Sequence, residues 1–314
     1  MLRSELSRRH PDLVTALHHR ASAWYRKAGL VSEAIEHATA AGDFDIAADL
    51  IAEHWLETGR WGQAATIRTW LEAFDEDELH RYPELGLVGG LMTGVSGGSE
   101  IELRRWLEVA EQGLSRGGDG GRAVAGTTSL RAGVNLLRSS FGYRNISAAA
   151  ATAAQTVLME SESRGQFRVA ALAGLGSLIY LSGDLTTARD VLSEAIRDPE
   201  AQRRPHGYIS ALATSALIAL DQGDADSGER TAARALEYAS AAGLADNQVS
   251  GLAHVALGRA LIVAGRPDSA RTQLDRGLQL LRGGVMPAWH AYALLWAAPV
   301  AQGRRRSPDS ARAC

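Results

Sequence analysis

The chain has 314 residues, 46% of them hydrophobic, with 33 Lys and Arg against 36 Asp and Glu and a formal net charge of −3. That near-balance excludes a whole-chain electrostatic pull toward nucleic acid or an anionic membrane. No run approaches the roughly 18 continuous apolar residues of a membrane span. The one cysteine, Cys314, is the last residue, so no internal disulfide is expected, and with no secretory leader pattern the expectation is a soluble, cytoplasmic protein.

Residues 1–10 open with a short polar segment (LRSELSRR) that reads as the end of an element rather than a beginning. Residues 11–116 form a set of N-terminal helical repeats. Pro11 starts a helix that runs to about Ala28, with Leu13, Leu17, Ala21 and Trp24 on its inner face, and Gly29 breaks it. Val31–Ala41 follows, with Ala34, Ile35 and Ala38 inward, and ends at Gly42-Asp43. Asp45–Thr58 and Trp61–Phe74 continue the pattern, and Asp75–Tyr82 is an acidic connector. Pro83–Val95 is helical despite Gly86, Gly89 and Gly90, and Ser99 caps an amphipathic helix over Glu100–Arg116. Residues 117–121 (GGDGG) form a flexible linker and an internal boundary.

Residues 122–303 repeat. In Gln166–Pro199 an apolar helix with small residues (Ala170, Ala173, Gly176) stops at Ser182-Gly183-Asp184. A second helix then places Ala188, Leu192 and Ala195 on one face. Gly183 suits a left-handed C-cap and Asp184 an N-cap. The same inter-helix glycine recurs at Gly142, Gly183, Gly223, Gly265 and Gly303, at intervals of 41, 40, 42 and 38 residues. The Gly265 copy has Leu257-Gly258 before it and Ala270, Leu274 and Gly277 after it, at the offsets of the Gly183 copy. One helical hairpin cannot bury its own apolar face, so such copies must stack. The offsets resemble a tetratricopeptide repeat lengthened by several residues. The fold expected is all-α, a right-handed superhelix of helical hairpins, that is, a tetratricopeptide-like α-solenoid. The last unit has a first helix, Pro287–Gln302, without a second, and residues 304–314 (RRRSPDSARAC) read as a disordered tail.

Short motifs elsewhere have plainer explanations. Gly94-Val95-Ser96-Gly97-Gly98 matches G-x-S-x-G, but a nucleophile elbow needs a strand before it, and no strand–helix alternation is present, so an inter-helix turn is expected. His18, His19, His37 and His54 lack a spacing that places two ligands on one helix face, so no metal is expected. The five N-terminal tryptophans Trp24, Trp55, Trp61, Trp70 and Trp106 lie on apolar stripes and are expected in the core. At least one of Trp289 and Trp296, on the unpaired last helix, is expected to be partly exposed. No catalytic, cofactor-binding or metal-ligating residue is assigned.

The segment Pro11–Glu53 carries a family pattern in Leu17-His18, Arg20-Ala21, Trp24-Tyr25, Ala34-Ile35, His37-Ala38, Ala41-Gly42-Asp43 and Ala47-Ala48. It resembles the region after the ATPase module in MalT-like, LuxR-family transcriptional regulators of the large ATP-binding, STAND type. Residues 1–10 then resemble the remnant end of that module's winged-helix domain, and the later solenoid resembles the family's sensor arm. No G-x-x-x-x-G-K-[ST] phosphate loop occurs in the sequence, whose only lysine is Lys27, and no LuxR-type helix-turn-helix follows the array. The resemblance therefore implies an effector-sensing and protein-interaction arm without its own ATPase and DNA-binding modules. The expected partners are a small-molecule inducer or a protein or peptide, with an ATPase module in a full-length or split regulator. No direct nucleic-acid contact, no membrane and no cofactor are expected, and a homo-oligomer is compatible. The alternative is a free-standing tetratricopeptide-like scaffold that captures a peptide or protein.

In tetratricopeptide-like units the first helix of each hairpin faces the concave side. Counting back from each glycine puts Ser129, Ser139, Ser177, Tyr180, Arg259 and His290 there, and these are the expected effector- or partner-binding residues. Tyr180 and Arg259 lead the set, because aromatic and Arg side chains dominate recognition hot spots.

Overall fold

A computed structural model describes residue 9 and residues 11–60, 63–117, 123–141, 145–162 and 166–303. The described residues hold 16 α-helices and no strand; two short 3₁₀ turns (Ala201–Arg203, Gln248–Ser250) and one isolated bridge, Ser99 with Gly284, complete the regular structure. The protein is an all-α solenoid of helical hairpins. It divides into two compact units, residues 1–92 with 104–134 and residues 93–103 with 135–314.

The first unit begins with α1 (Pro11–Lys27), α2 (Val31–Ala40), α3 (Phe44–Arg60) and α4 (Ala64–Glu72). Ala34, Ile35, Ala38, Ala47 and Ala48, all part of the family pattern, are fully buried. Helix α1 meets α2 on a different face from the one expected. His18 and His37 approach Nδ1 to Nδ1 at 2.7 Å, the Tyr25 ring stacks on His37 at 5.2 Å, and Ser22 Oγ donates to Ala34 O at 2.9 Å. These polar and ring contacts outweigh the more apolar stripe, so Leu13, Leu17 and Trp24 face solvent, Trp24 at 61% exposure. The expected core position of Trp24 is therefore corrected. Trp55 and Trp70 are buried as expected, Trp106 is half-buried, and Trp61 lies outside the described residues.

The acidic connector holds one further helix, α5 (Glu76–Leu79), started by a capping box. Asp75 Oδ1 accepts from Glu78 N at 2.8 Å and Glu78 Oε2 accepts from Asp75 N at 3.0 Å. Helices α6 (Pro83–Ser96) and α7 (Glu100–Gly117) then approach closely along glycines: a Cβ on Gly89 would sit 2.3 Å from the Trp106 ring. The glycines that weaken α6 as an isolated helix are what allow this packing. Residues 118–122, most of the expected linker, lie outside the described residues, as do residues 1–8 and the tail 304–314.

The second unit contains the repeats. After α8 (Leu130–Ser140) come α9 (Ile146–Glu162), α10 (Arg168–Leu181), α11 (Leu185–Arg197), α12 (Pro205–Asp221), α13 (Ala225–Ala241), α14 (Gly251–Val263), α15 (Pro267–Leu281) and α16 (Pro287–Gly303). The hairpins α10–α11, α12–α13 and α14–α15 turn at Gly183, Gly223 and Gly265, with φ of 94, 85 and 69°. Asp184 and Asp224 cap the helices that follow by accepting from Thr187 N and Ser227 N, each at 3.0 Å. Gly142 lies outside the described residues, and Gly303 is the last residue of α16 and the last described residue.

Successive first helices α10, α12 and α14 pack on one another, while each second helix packs on the first helices of its own and the next hairpin. The first helices are apolar around most of their circumference and the second helices are amphipathic, as an inner and an outer layer require. Within a hairpin the two axes come close because a glycine faces a leucine. A Cβ at Gly176 would lie 2.5 Å from Leu192 Cγ, and one at Gly258 would lie 2.7 Å from Leu274 Cγ. A Gly258→Val substitution is expected to destabilise the second unit by about 1–3 kcal/mol through overpacking, read as a lowered urea midpoint. An unchanged midpoint would refute the close-approach account.

Candidate functional site

Of the six residues expected to bind a ligand, the structure buries four. Ser139 is fully buried, its hydroxyl donating to Leu136 O at 3.1 Å. Ser177 lies 3.0 Å from the Thr214 hydroxyl, an inter-helix hydrogen bond between α10 and α12. Tyr180 is 7% exposed and Arg259 is 6% exposed. His290 is half-buried on α16, and Ser129 caps α8 by accepting from Ala132 N at 3.0 Å. Ser177, Tyr180 and Arg259 are engaged in hydrogen bonds with neighbouring helices.

Tyr180 and Arg259 do converge, and they bring residues that sequence reasoning missed. Tyr180 OH donates to Asp221 Oδ2 at 2.7 Å, and Arg259 pairs with Asp221 Oδ1 at 2.6 Å. Arg259 also donates to the Tyr292 hydroxyl, which lies 2.9 Å from the Tyr180 hydroxyl. A phenol has one hydrogen to give. With that of Tyr180 directed at the carboxylate, Tyr292 donates to Tyr180 and accepts from Arg259. The four side chains close a ring of hydrogen bonds anchored by one ion pair, an arrangement in which each bond polarises the next. Trp289 stacks on Tyr180 at 6.0 Å, and the Arg259 guanidinium lies 4.0 Å over the Trp296 ring. Of the two tryptophans, Trp289 is fully buried and Trp296 half-buried.

Burial raises the pKa of both phenols, with the neighbouring hydroxyl and Asp221 adding to the shift at Tyr180, so both stay protonated and able to donate. Burial opposes the charge on Arg259, but the Asp221 hydrogen bond and the surrounding oxygens outweigh it and hold the guanidinium charged. Arg259 Nε is buried without an acceptor. Asp221 ends α12 one repeat beyond Tyr180, which is the only sequence signal that could have singled it out.

A second feature lies where loops between hairpins meet the end of α6. Asn247 Nδ2 donates to Val95 O at 2.8 Å, Gln248 Nε2 donates to Gly94 O at 2.9 Å, and the His206 ring lies 3.3 Å from Val95 O. Together they satisfy carbonyls that a helix C-terminus leaves unpaired. Beside them is an open polar cleft of about 770 Å³ lined by Ser96, Asp246, Asn247, Arg276, Gln279 and Arg282, among others. Ser96 is the last residue of a helix, with no strand before it, so the G-x-S-x-G match has no nucleophile-elbow geometry. Among the described residues no group of three or more His, Cys, Asp or Glu side chains is placed to hold a metal. Nor is any described helix long and apolar enough to cross a membrane.

Residues 140–312 match the sequence family described as the MalT-like TPR region, over half of the chain. The chain belongs to this family. The matched stretch contains the hairpins α9 to α16, the Tyr180–Asp221–Arg259–Tyr292 ring and most of the cleft lining, so both features are embedded in the MalT-like TPR region itself. Among solved structures, the apo form of RapI is similar at 12% identity and a TM-score of 0.45, over 80% of this chain and 70% of that one. No curated protein matches the sequence.

Two outcomes follow. Asp221→Ala leaves Arg259 buried without its counter-charge and is expected to cost about 2 kcal/mol, below the range for fully buried pairs because Asp221 is itself 30% exposed. A change under about 0.5 kcal/mol in urea unfolding would show that the ring contributes no stability. Burial also lowers the pKa of His206 and His254 from 6.5, so below that value the unfolded chain binds protons that the native state does not. Stability is therefore expected to be level above about pH 7 and to fall as pH drops through 6.5, and His206→Gln is expected to flatten part of that fall. Urea midpoints that hold constant down to about pH 5.5 would contradict this assignment.

Proposed function

We infer that the chain is the effector-sensing and protein-interaction arm of a LuxR-family, ATP-dependent transcriptional regulator, with the ATPase and DNA-binding modules supplied from outside this sequence. The observation that carries this reading is the MalT-like TPR match over α9–α16, joined by the N-terminal residues His18, Tyr25, Ala34-Ile35 and His37-Ala38 of the α1–α2 packing. A stack of hairpins presents a long inner surface and no built-in chemistry, which suits capture of an inducer, peptide or protein and a change in how the arm sits on its regulator. Such a relay works by population shift: the ligand must favour one arrangement of arm and ATPase over another. The arm is read as non-enzymatic and cytoplasmic, with no nucleic-acid contact of its own. Its sensing surface is read as the first-helix layer containing Ser139, Ser177, Tyr180, Arg259 and His290.

The test is to express the phosphate-loop ATPase encoded in frame with, or beside, this chain and titrate it with the full chain. A stable complex with ATP turnover changed by about tenfold is the expected result, corresponding to a typical coupling of 1–3 kcal/mol. An ATPase indifferent to the chain, or no such neighbouring gene, would overturn the regulator-arm reading and leave the peptide-capturing scaffold.

A further inference from the structure

Helix α16 has no charged residue between Pro287 and Gly303. It packs on α15 and α14 as the next first helix should. It also reaches α10, three hairpins back, through Trp289 and Tyr292. In a solenoid each repeat contacts its neighbours, so a contact that skips two whole hairpins is a departure needing its own cause. The side chains responsible are Trp289, Tyr292 and Trp296, at i, i+3 and i+7 on one face of α16, the spacing by which an amphipathic helix anchors in a groove. The receiving side chains are Tyr180, Asp221 and Arg259, one from each of α10, α12 and α14. The other side of α16 exposes Leu294 and Leu295.

Resting on the interaction-arm reading, we propose that the inner face at the C-terminal ends of α10, α12 and α14 is a helix-binding groove. Its own helix α16 fills it in cis, and its partner is a helix carrying an aromatic stripe with a central tyrosine. Displacement requires that the partner gain something α16 lacks. Arg259 supplies it: its side chain is 7% exposed and its Nε has no acceptor while α16 is seated. A partner helix that places an amide or carboxylate oxygen beside its tyrosine satisfies that Nε–H and relieves the desolvation α16 leaves uncompensated. Groove and plug thus share one aromatic chemistry, and the unpaired nitrogen sets the direction of exchange.

Hydrogen exchange on the full chain tests this without any regulator or ATPase, so its failure and that of the arm reading are separable. In the wild type, amides of α16 are expected to exchange by local opening, ahead of those in α12 and α14. Tyr292→Phe removes the acceptor for Arg259 and the donor to Tyr180, and is expected to speed exchange in α16 by about tenfold while leaving α12 unchanged. The binding arm uses a synthetic peptide of residues 286–303 with Leu294→Glu and Leu295→Glu for solubility. It is expected to bind the Tyr292→Phe chain about tenfold more tightly than the wild type, and to lose that binding when Asp221→Ala is added. Should α16 exchange only with global unfolding, in step with α12 and α14, it is a fixed part of the core and the proposal is overturned. Equal peptide binding to both chains, or none to either, overturns it as well. If Tyr292→Phe does not fold, the wild-type exchange pattern alone decides.

Discussion

The distance between the two helices of a hairpin governs the second unit. Gly176 opposite Leu192 and Gly258 opposite Leu274 let each pair of axes close until a methyl group would not fit. Close pairing narrows the first helices into a continuous inner layer and leaves the second helices spread on the outer one. An inner layer built this way is made of Ala, Gly, Ser and Leu, with little chemistry to offer a ligand. Tyr180, Asp221 and Arg259 stand out there as a connected polar set.

That small set is organised as a charged core within an aromatic one. Arg259 is suited to the place because a planar guanidinium can pair with Asp221 in its own plane and stack on Trp296 through its face. A lysine could not do both. Burial makes the ring of hydrogen bonds strong when complete and costly when broken, so it acts as an all-or-none contact between α16 and three other helices.

The N-terminal unit shows how a family pattern and a physical contact coincide. His18, Tyr25 and His37 belong to the motif by which the segment resembles LuxR-family regulators, and in the structure they are the contacts that dock α1 on α2. Trp24, from the same motif, faces solvent instead. Apolar periodicity put Leu13, Leu17, Ala21 and Trp24 inward on α1 and missed the docking face, because the deciding interactions were a histidine pair and a ring stack rather than area. The α6 glycines went the other way. Read singly they weaken a helix, yet opposite Trp106 they are what permit its packing.

The sequence by itself determined the all-α class, the helix order, the repeat of about 40 residues and the turns at Gly183, Gly223 and Gly265, because caps, breakers and apolar period are local properties of the chain. It also singled out Tyr180 and Arg259 as the recognition-capable residues of the first helices. Only the tertiary structure decided that they are sealed rather than open, that Asp221 and Tyr292 complete them, and that α16 reaches back across two hairpins to do so. Those contacts join residues as many as 112 positions apart, and their geometry depends on the packing of all the hairpins between them, a quantity no local pattern encodes.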